Sequence, residues 1–316
     1  MKVSIIIPVY NAAEYLREAV ASALAQPEVV EVLLVDDGSK DHSLEVAKAL
    51  AQESSRVVVL THPNGSNKGS AETRNVGIRA ATQEYIAFID ADDWFLPNRF
   101  DRTKQIFIQY PDADGVCEAV VNVVTDKAQS NSQTVSLEGT PDIHMVRKAV
   151  GPNELLTHLI DDPVGIVMLQ GLCVKKSLFD KSGLFDPEFR VFEDMLLIKK
   201  MAAVGNLYLG HLTQPVSARR IHDTNISFSS FKDTDRAKYK EGEVLLRWAC
   251  TKPLAASNMN AAIRFYYRTY FYSHGKQFLS KGLRLKWLLS TLYRFPKSVC
   301  FKQYWAAVPV VGKLIK

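Results

Sequence analysis

Short apolar runs alternate with segments of helical hydrophobic spacing through the first 120 residues, and this alternation restricts the fold more than any other feature. Parallel strands need a crossover connection, which is usually a helix, so the alternation predicts a parallel sheet wound by helices. The strands are predicted at Val3–Ile7, Val32–Val35, Val57–Leu60 and Tyr85–Ile89. Helices are predicted at Ala13–Ala25, from Asp41 or Ser43 through Ala51, at Ala71–Ala81 and from near Pro97.

The remainder of the chain is less regular. Val116–Val124 is predicted to be a further strand, and the polar residues 125–140 are predicted to form a loop. Residues 152–225 mix helical and strand patterns, whereas residues from 236 onward look helical. With 316 residues, of which 47% are hydrophobic, we expect an α/β domain at 1–235 and a helical C-terminal extension at 236–316.

Three carboxylates follow the fourth apolar run directly, in the order Asp90-Ala91-Asp92-Asp93. In extended backbone Asp90 and Asp92 would share one face, where two like charges repel unless a cation lies between them. Asp93 would then point the other way. Acids also end strands as turn formers or helix caps, so the spacing alone leaves metal binding and turn formation open.

Polar residues also follow the first two predicted strands. The carboxyl ends of parallel strands meet at the edge of the sheet where such folds bind ligands. Pro8, Val9 and Tyr10 end the first strand, and Asp36 and Asp37 end the second. A carboxylate there is suited to accept the N3 hydrogen of uracil or to bond ribose hydroxyls, while the alternative is a turn whose acids favour the following helix dipole.

Candidate functional residues also lie farther along the chain. Lys68 and Arg74, at the start of a helical pattern, are suited to bind a base or phosphate, or else to form surface ion pairs. Glu193 and Asp194 precede a helical apolar pattern, where a carboxylate is either a general base or an ordinary first-turn acid. His222 is either a metal ligand or a surface imidazole.

Charge is distributed very unevenly. The net charge is +5, yet thirteen Lys and Arg and no Asp or Glu follow Glu243, which leaves 26 basic and 34 acidic residues before that point. The basic segment 244–316 is also rich in aromatic residues, as expected of helices that lie at an anionic membrane surface. The alternatives are an aromatic helical subdomain with a solvated basic face, or contact with another copy of the chain.

The bulk composition narrows the class of protein further. The four cysteines have no Cys-x-x-Cys spacing, so we expect neither a zinc site nor a disulfide framework. The apolar start is too short for a signal peptide, and no apolar run approaches the ~18 residues of a membrane span. We therefore expect a cytoplasmic protein that is peripheral at the inner face of the cell membrane.

Seven motifs, taken in order, resemble those of family 2 glycosyltransferases with the GT-A fold. They are Ser4–Asn11 (SIIIPVYN), Val35–Asp41 (VDDGSKD), Asn67–Ile78 (NKGSAETRNVGI), Asp90–Asp93 (DADD), Ser182–Phe189 (SGLFDPEF), Phe192–Asp194 (FED) and Arg220-x-His222. The resemblance covers residues 3 to about 227 and implies a mostly parallel, Rossmann-like sheet flanked by helices. It also implies an inverting transfer of a sugar from a nucleotide-sugar donor, most simply a UDP-sugar, to a glycan or lipid-linked acceptor.

The resemblance also implies roles for individual residues. Asp37 and Arg74 would contact the base beside the backbone of Pro8, Val9 and Tyr10, with Asp36, Lys68 and Ala91 in the same nucleotide site. Asp92 would be the principal ligand of Mn²⁺ or Mg²⁺, Asp90 would hold the ribose or the metal, and His222 would bind the metal or the diphosphate. Asp194 would be the catalytic base, with Glu193 beside it toward the acceptor.

Two departures qualify the resemblance. Ser182-Gly183 keeps one of the two glycines that often precede the family's Phe-Asp, and the Gln-x-x-Arg-Trp pattern of processive members is missing. Single addition is therefore expected rather than polymer synthesis.

Three other hypotheses are a non-catalytic nucleotide-sugar or membrane-binding module, a phosphoryl transferase with Asp90 as nucleophile, and a nucleic-acid binder acting through the basic tail. Asp92 and Asp194 oppose the first, the place of Asp90 after the fourth strand opposes the second, and we expect no nucleic-acid partner.

Overall fold

The computed structural model describes residues 1–124, 142–162, 165–222 and 234–274. The chain divides into two compact units. The first comprises Met1–Leu155 and Val164–Asn225, and the second comprises Leu156–Pro163 and Ile226–Lys316. The predicted loop at 125–140 and most of the basic tail lie outside the described residues.

The described part of the first unit contains two sheets. The central sheet has the spatial order β10, β6, β9, β4, β1, β2, β3, with these bounds: β1 Val3–Val9, β2 Val29–Asp36, β3 Val57–Thr61, β4 Tyr85–Phe88, β6 Gly115–Cys117, β9 Leu172–Lys175 and β10 Leu207–Leu209. The smaller sheet has the order β5, β11, β7, β8, with these bounds: β5 Trp94–Phe95, β7 Ala119–Val124, β8 Ile143–His144 and β11 Pro215–Ile221.

Helices follow most of the strands. Their bounds over the described residues are α1 Leu16–Leu24, α2 Ser43–Glu53, α3 Ser70–Ala80, α4 Asp101–Gln109, α5 Pro152–Asp161, α6 Leu178–Ser182, α7 Glu193–Val204, α8 Thr234–Ala249 and α9 Ala256–His274. Strands β1, β2, β3 and β4 pair in parallel, as do β6 and β10, whereas β9 runs antiparallel between β4 and β6. The prediction of a mostly parallel sheet wound by helices is therefore confirmed.

Helices cover both faces of the central strand β1, which explains why its sequence is almost continuously apolar. On one face Ile5 and Ile7 belong to the same buried cluster as Leu16 and Val20 of α1. On the other face α3 approaches closely through Gly77, where a Cβ would lie 2.5 Å from Cγ2 of Ile6. Fully burying each of these aliphatic side chains stabilises the fold by roughly 1.5–3 kcal/mol.

Three local predictions were wrong. The run 116–124 is not one strand, because the chain leaves the central sheet at Glu118 and joins the smaller sheet, with the Glu118 N–H donating to the Gly171 carbonyl at 2.9 Å. The helix expected from near Pro97 begins at Asp101. Asp90 and Asp92 do not lie in extended backbone, because the Asp93 N–H donates to the Asp90 carbonyl at 3.1 Å and closes a turn.

The described part of the second unit is helical, and ion pairs join residues within it. Arg264 and Arg268 of α9 both contact the Asp161 carboxylate, at 3.1 and 2.9 Å. The Tyr266 side chain of α9 is almost fully buried and packs against the Tyr239 ring of α8. No helix among the described residues is long and apolar enough to cross a membrane.

Candidate active site

The loops after β1 and β2 are bonded to each other at the carboxyl edge of the sheet. The Asp37 N–H donates to the Val9 carbonyl at 2.8 Å, and the Lys40 N–H donates to Oδ1 of Asn11 at 2.7 Å. Asn11 has φ of 51°, a left-handed conformation that Asn tolerates better than most residues. These bonds leave Tyr10 about half exposed beside the loops. The prediction that polar strand ends gather at one edge is met here.

Asp36 and Asp37 have different surroundings, although both are buried. Asp36 closes its own turn, with Oδ2 accepting from the Gly38 and Ser39 N–H groups at 3.0 and 3.3 Å. Asp37 instead accepts from the N–H groups of Lys68 and Gly69, at 2.6 and 2.9 Å. Asp37 therefore orders the segment that leads into α3, while the Lys68 side chain is exposed.

His62 is a residue that the sequence did not indicate, and it lies beside Asp37. Nε2 of the buried His62 lies 2.9 Å from Oγ1 of Thr73 and 3.4 Å from Oδ1 of Asp37. The Thr73 hydroxyl donates its one hydrogen to the Gly69 carbonyl at 2.9 Å. His62 must therefore donate from Nε2 to Thr73, which fixes the tautomer of the ring.

Arg74 joins two predicted site regions that are far apart in sequence. Its buried guanidinium donates to Asp90 at 2.8 Å and to Glu193 at 2.9 Å. Burial opposes its charge, but Asp90 and Glu193 together raise the pKa of Arg74. The guanidinium also lies 5.6 Å from the centre of the Phe185 ring. The sequence left base or phosphate binding and a surface ion pair open for Arg74, and the structure shows a buried bridge between the turn after β4 and α7.

Gln170 is a second residue that the sequence did not indicate. It is buried in a short 3-10 turn at Leu169–Gly171, immediately before β9. Its amide nitrogen donates to Asp93 at 2.6 Å and to Asp90 at 3.2 Å. The other oxygen of Asp93 accepts from the Arg220 N–H at 2.8 Å. Asp93 is therefore buried among protein donors and does not point away as expected.

Asp92 lies beside His222, as the resemblance implied. Oδ2 of Asp92 is 3.1 Å from Nε2 of His222, and the imidazole stacks on the Tyr15 ring with centroids 5.0 Å apart. Arg220 of β11 also contacts the turn that holds Asp92, since its Nε donates to the Asp92 carbonyl at 2.9 Å. Its guanidinium packs between the rings of Tyr15 and Trp94, with Glu18 as its acidic partner.

One corner of the site is formed by Asp90, Asp92, Asp93 and His222. The residues of this corner fit a divalent cation that is shared with a ligand. Burial and the charge of Asp90 raise the pKa of Asp92, and burial together with Asp92 and Asp90 raises that of Asp93 well above its usual range. A cation would relieve this repulsion. Within the described segments, no three His, Cys, Asp or Glu side chains form a complete metal cluster. Asp92 and His222 offer two ligands, and Mg²⁺ commonly takes one or two protein ligands and completes its shell with phosphate and water.

The acids at the start of α7 differ in how they are held. Oε1 of Glu193 accepts from the Ser70 hydroxyl at 2.6 Å and from Arg74, so this side chain is fixed against α3. Asp194 is only partly buried and accepts from the Met195 N–H at 2.7 Å. Burial and the charge of Glu193 raise the pKa of Asp194 to about 6, although Arg74 opposes the rise. A carboxylate with such a pKa is a stronger base than an ordinary Asp.

The backbone before these acids is strained. Phe192, the N-cap of α7, has φ of 64° although it is a bulky residue with a buried side chain. Such a conformation costs on the order of 1–3 kcal/mol and persists only where the surroundings enforce it. It sets the direction in which α7 begins, and hence the placement of Glu193 and Asp194.

These features define a GT-A glycosyltransferase: a mostly parallel sheet with acids at its carboxyl edge, and a separate acid pair at a helix start joined to them by Arg74. The sequence model of the family described as Glycosyl transferase family 2 matches residues 4–181. The chain belongs to this family and is a glycosyltransferase.

Known relatives and solved structures are similar over much of the chain. An uncharacterised glycosyltransferase of Nostoc sp. is 29% identical over 253 residues, which cover 76% of this chain and 71% of the relative. The succinoglycan biosynthesis protein ExoU of Rhizobium meliloti is 31% identical over 213 residues, which cover 65% of this chain and 58% of ExoU. The crystal structure of Staphylococcus aureus TarS 1-349 with UDP-GlcNAc has a TM-score of 0.64 at 17% identity and covers 99% of this chain and 84% of TarS. The structure of the mannosyltransferase PcManGT of Pyrobaculum calidifontis in complex with GDP-Man and Mn²⁺ has a TM-score of 0.52 at 15% identity. The match covers 99% of this chain and 85% of PcManGT. At these identities the two structures establish the fold alone.

Proposed function

We propose that the protein transfers a single sugar, with inversion, from a UDP-sugar to a hydroxyl of a glycan or lipid-linked acceptor in surface-polysaccharide or glycoconjugate synthesis. The observation that carries the proposal is the Arg74 bridge, at 2.8 Å to Asp90 and 2.9 Å to Glu193. It ties the acids of the proposed donor site to the helix that carries the proposed base. A non-catalytic binding module would not need Asp194 beside the donor acids.

The proposed donor site lies at the carboxyl edge of the central sheet. Asp37 and the backbone of Pro8, Val9 and Tyr10 would face the base, with Asp36, Lys68 and Ala91 nearby. Because the Arg74 side chain is held by two acids, we assign it to positioning Asp90 rather than to the base itself. Asp92 and His222 would hold Mn²⁺ or Mg²⁺, with Asp90 beside them. When bound, the ion neutralises negative charge that develops on the leaving diphosphate.

The proposed reaction is one in-line displacement. Asp194 accepts the proton of the acceptor hydroxyl while the hydroxyl oxygen forms a bond to the anomeric carbon. The bond from that carbon to the phosphate oxygen breaks, and its electron pair leaves with the UDP. Glu193 is assigned a positioning role, because Ser70 and Arg74 already occupy its carboxylate. The succinoglycan role in the name of one relative supports a glycan acceptor.

The test is a thermal-shift screen of UDP, GDP and CDP with and without Mn²⁺, followed by two variants. We expect UDP with Mn²⁺ to raise the melting temperature of the wild-type protein and to raise that of Asp92→Ala much less. Asp194→Asn should keep the ligand-induced shift and lose transfer. Full transfer in EDTA, or full transfer by Asp194→Asn, would refute the mechanism.

We also propose that segment 244–316 attaches the enzyme to the inner face of the cell membrane, where lipid-linked acceptors are present. Its thirteen basic and no acidic residues support attraction to anionic lipid. The alternative is contact with a second copy of the chain, and the truncation described in the Discussion distinguishes the two.

A further inference from the structure

Gln170 has no part in the proposed reaction, yet it touches two of the three acids at the end of β4. Its side chain is 3% exposed and is therefore closed to solvent. A buried amide of this kind is normally explained by the groups that it bonds. Here those groups are the carboxylates of Asp90 and Asp93, at 3.2 and 2.6 Å from the same nitrogen.

The amide nitrogen has two hydrogens, and the two carboxylates account for both of them. The other oxygen of Asp90 accepts from Arg74 at 2.8 Å, and the other oxygen of Asp93 accepts from the Arg220 N–H at 2.8 Å. Each acid is therefore held from two sides. Asp92 lies between them in the turn and is the acid that Gln170 does not bond in the described contacts.

The backbone next to Gln170 is fixed by a contact between Gly171 and Glu118. Gly171 accepts from the Glu118 N–H at 2.9 Å, and a Cβ at Gly171 would lie 2.1 Å from the Glu118 carbonyl oxygen. This close approach needs a glycine and leaves the turn little freedom. The position of the amide is thus set by this backbone contact as well as by the flexible side chain.

A neutral donor at this point has a specific electrostatic effect. Lys or Arg would also bond the two carboxylates, but its charge would cancel part of their negative charge. Arg74 already places one positive charge beside Asp90, and Gln170 orders both acids without adding a second. This matters because like-charge repulsion among Asp90, Asp92 and Asp93 otherwise favours rotation of one side chain away from the corner.

We propose that Gln170 is a positioning residue that sets the spacing of Asp90 and Asp93 around Asp92 and thereby determines how tightly the corner binds a divalent cation together with a nucleoside diphosphate. The inference rests on the proposed function. It adds to that function a residue in the turn before β9 that controls cation affinity without touching the donor.

The experiment uses the full chain and measures binding of UDP by calorimetry, in EDTA and across a Mn²⁺ titration. Gln170→Met keeps the side-chain length and removes both donors. This substitution removes two hydrogen bonds to charged groups. We therefore expect the Mn²⁺ concentration for half-maximal UDP binding to rise roughly tenfold or more. UDP affinity in EDTA should stay at the wild-type level, which general damage to the fold would not allow.

Gln26→Met is a matched control. Gln26 is also 3% exposed, and its amide donates to the Ser22 and Leu96 carbonyls at 3.2 and 3.1 Å, away from the acids. It should lower the melting temperature about as much as Gln170→Met and leave the Mn²⁺ dependence unchanged. If Gln170→Met does not fold, Gln170→Asn keeps the amide on a shorter chain that cannot span both carboxylates, and the same rise is expected.

Wild-type Mn²⁺ dependence in a folded Gln170 variant would overturn the inference and leave the proposed function intact. Equal loss of UDP affinity in EDTA and in Mn²⁺ would also overturn it, since that pattern indicates a structural defect. If the wild-type protein binds neither UDP nor GDP in Mn²⁺, the proposed function fails first, and the role of Gln170 fails with it.

Discussion

Asp194→Asn should stabilise the protein at neutral pH while it abolishes transfer. Burial and the neighbouring Glu193 raise the pKa of Asp194 from the ordinary 3.8 to about 6. In full, that difference corresponds to about 3 kcal/mol by which folding disfavours the ionised carboxylate. Asp194 is partly exposed, so water screens some of the effect, and we expect a gain of about 1–2 kcal/mol.

The gain should depend on pH in a defined way. Between about pH 4 and pH 6 the folded protein binds more protons at this carboxyl than the unfolded chain does, so stability falls as the pH rises through this window. The Asn side chain carries no such cost. We therefore expect the variant to melt roughly 2–8 °C higher than the wild-type protein at pH 8, and at nearly the same temperature at pH 4.

The assay is differential scanning fluorimetry of both proteins, without nucleotide, at pH 4, 5, 6, 7 and 8. Asp180→Asn serves as the control, because Asp180 is an exposed acid in the same unit and lies outside the proposed machinery. It should show no pH-dependent gain. A variant at Asp194 that is no more stable than wild type at pH 8, or equally stabilised at pH 4, would refute the idea that this carboxylate is held at a cost to folding.

Three further predictions follow from the site, the core and the tail. The rate of transfer should decline below about pH 6, since the base must be ionised, and a limb near pH 4 in a pH–rate profile would contradict the role of Asp194. Gly77→Ala should destabilise the fold by roughly 1–3 kcal/mol, because its Cβ would lie 2.5 Å from Ile6, whereas Gly151→Ala, with open space around it, should not change the melting temperature. Deleting 275–316, which removes nine of the thirteen basic residues after Glu243, should release the protein from phosphatidylglycerol vesicles in a sedimentation assay; unchanged lipid binding would leave the tail a structural or oligomer contact.

The sequence was most informative where function depends on residues that are local in the chain. Short continuous apolar runs located β1 to β4, and apolar residues at a period of 3.6 located the helices between them, because each of those elements is specified by its own neighbours. The resemblance to a family, and not the spacing, placed Asp92 and His222 in the same predicted site. Spacing alone left His222 as a surface imidazole.

Contacts made through the fold could not be anticipated in the same way. Gln170 and His62 are single polar residues in unremarkable surroundings, and their importance comes from acids that lie 77 and 25 positions away in the chain. The split of the run 116–124 likewise depends on which strands pair on each side of Glu118, because apolar residues dominate both parts of the run. Local periodicity carries no information about such partners.

The two acids at the start of α7 show how one helix terminus supports two tasks. Consecutive residues of an α-helix point about 100° apart, so Glu193 and Asp194 cannot share one environment. Glu193 faces Ser70 and Arg74 and is fixed by them, while Asp194 remains partly exposed with a raised pKa. If both side chains were bonded to Arg74, the guanidinium would lower the basicity that the proposed reaction needs. The left-handed conformation of Phe192 is therefore best explained as the strain that orients this pair, so that one acid anchors the helix and the other is available to a substrate.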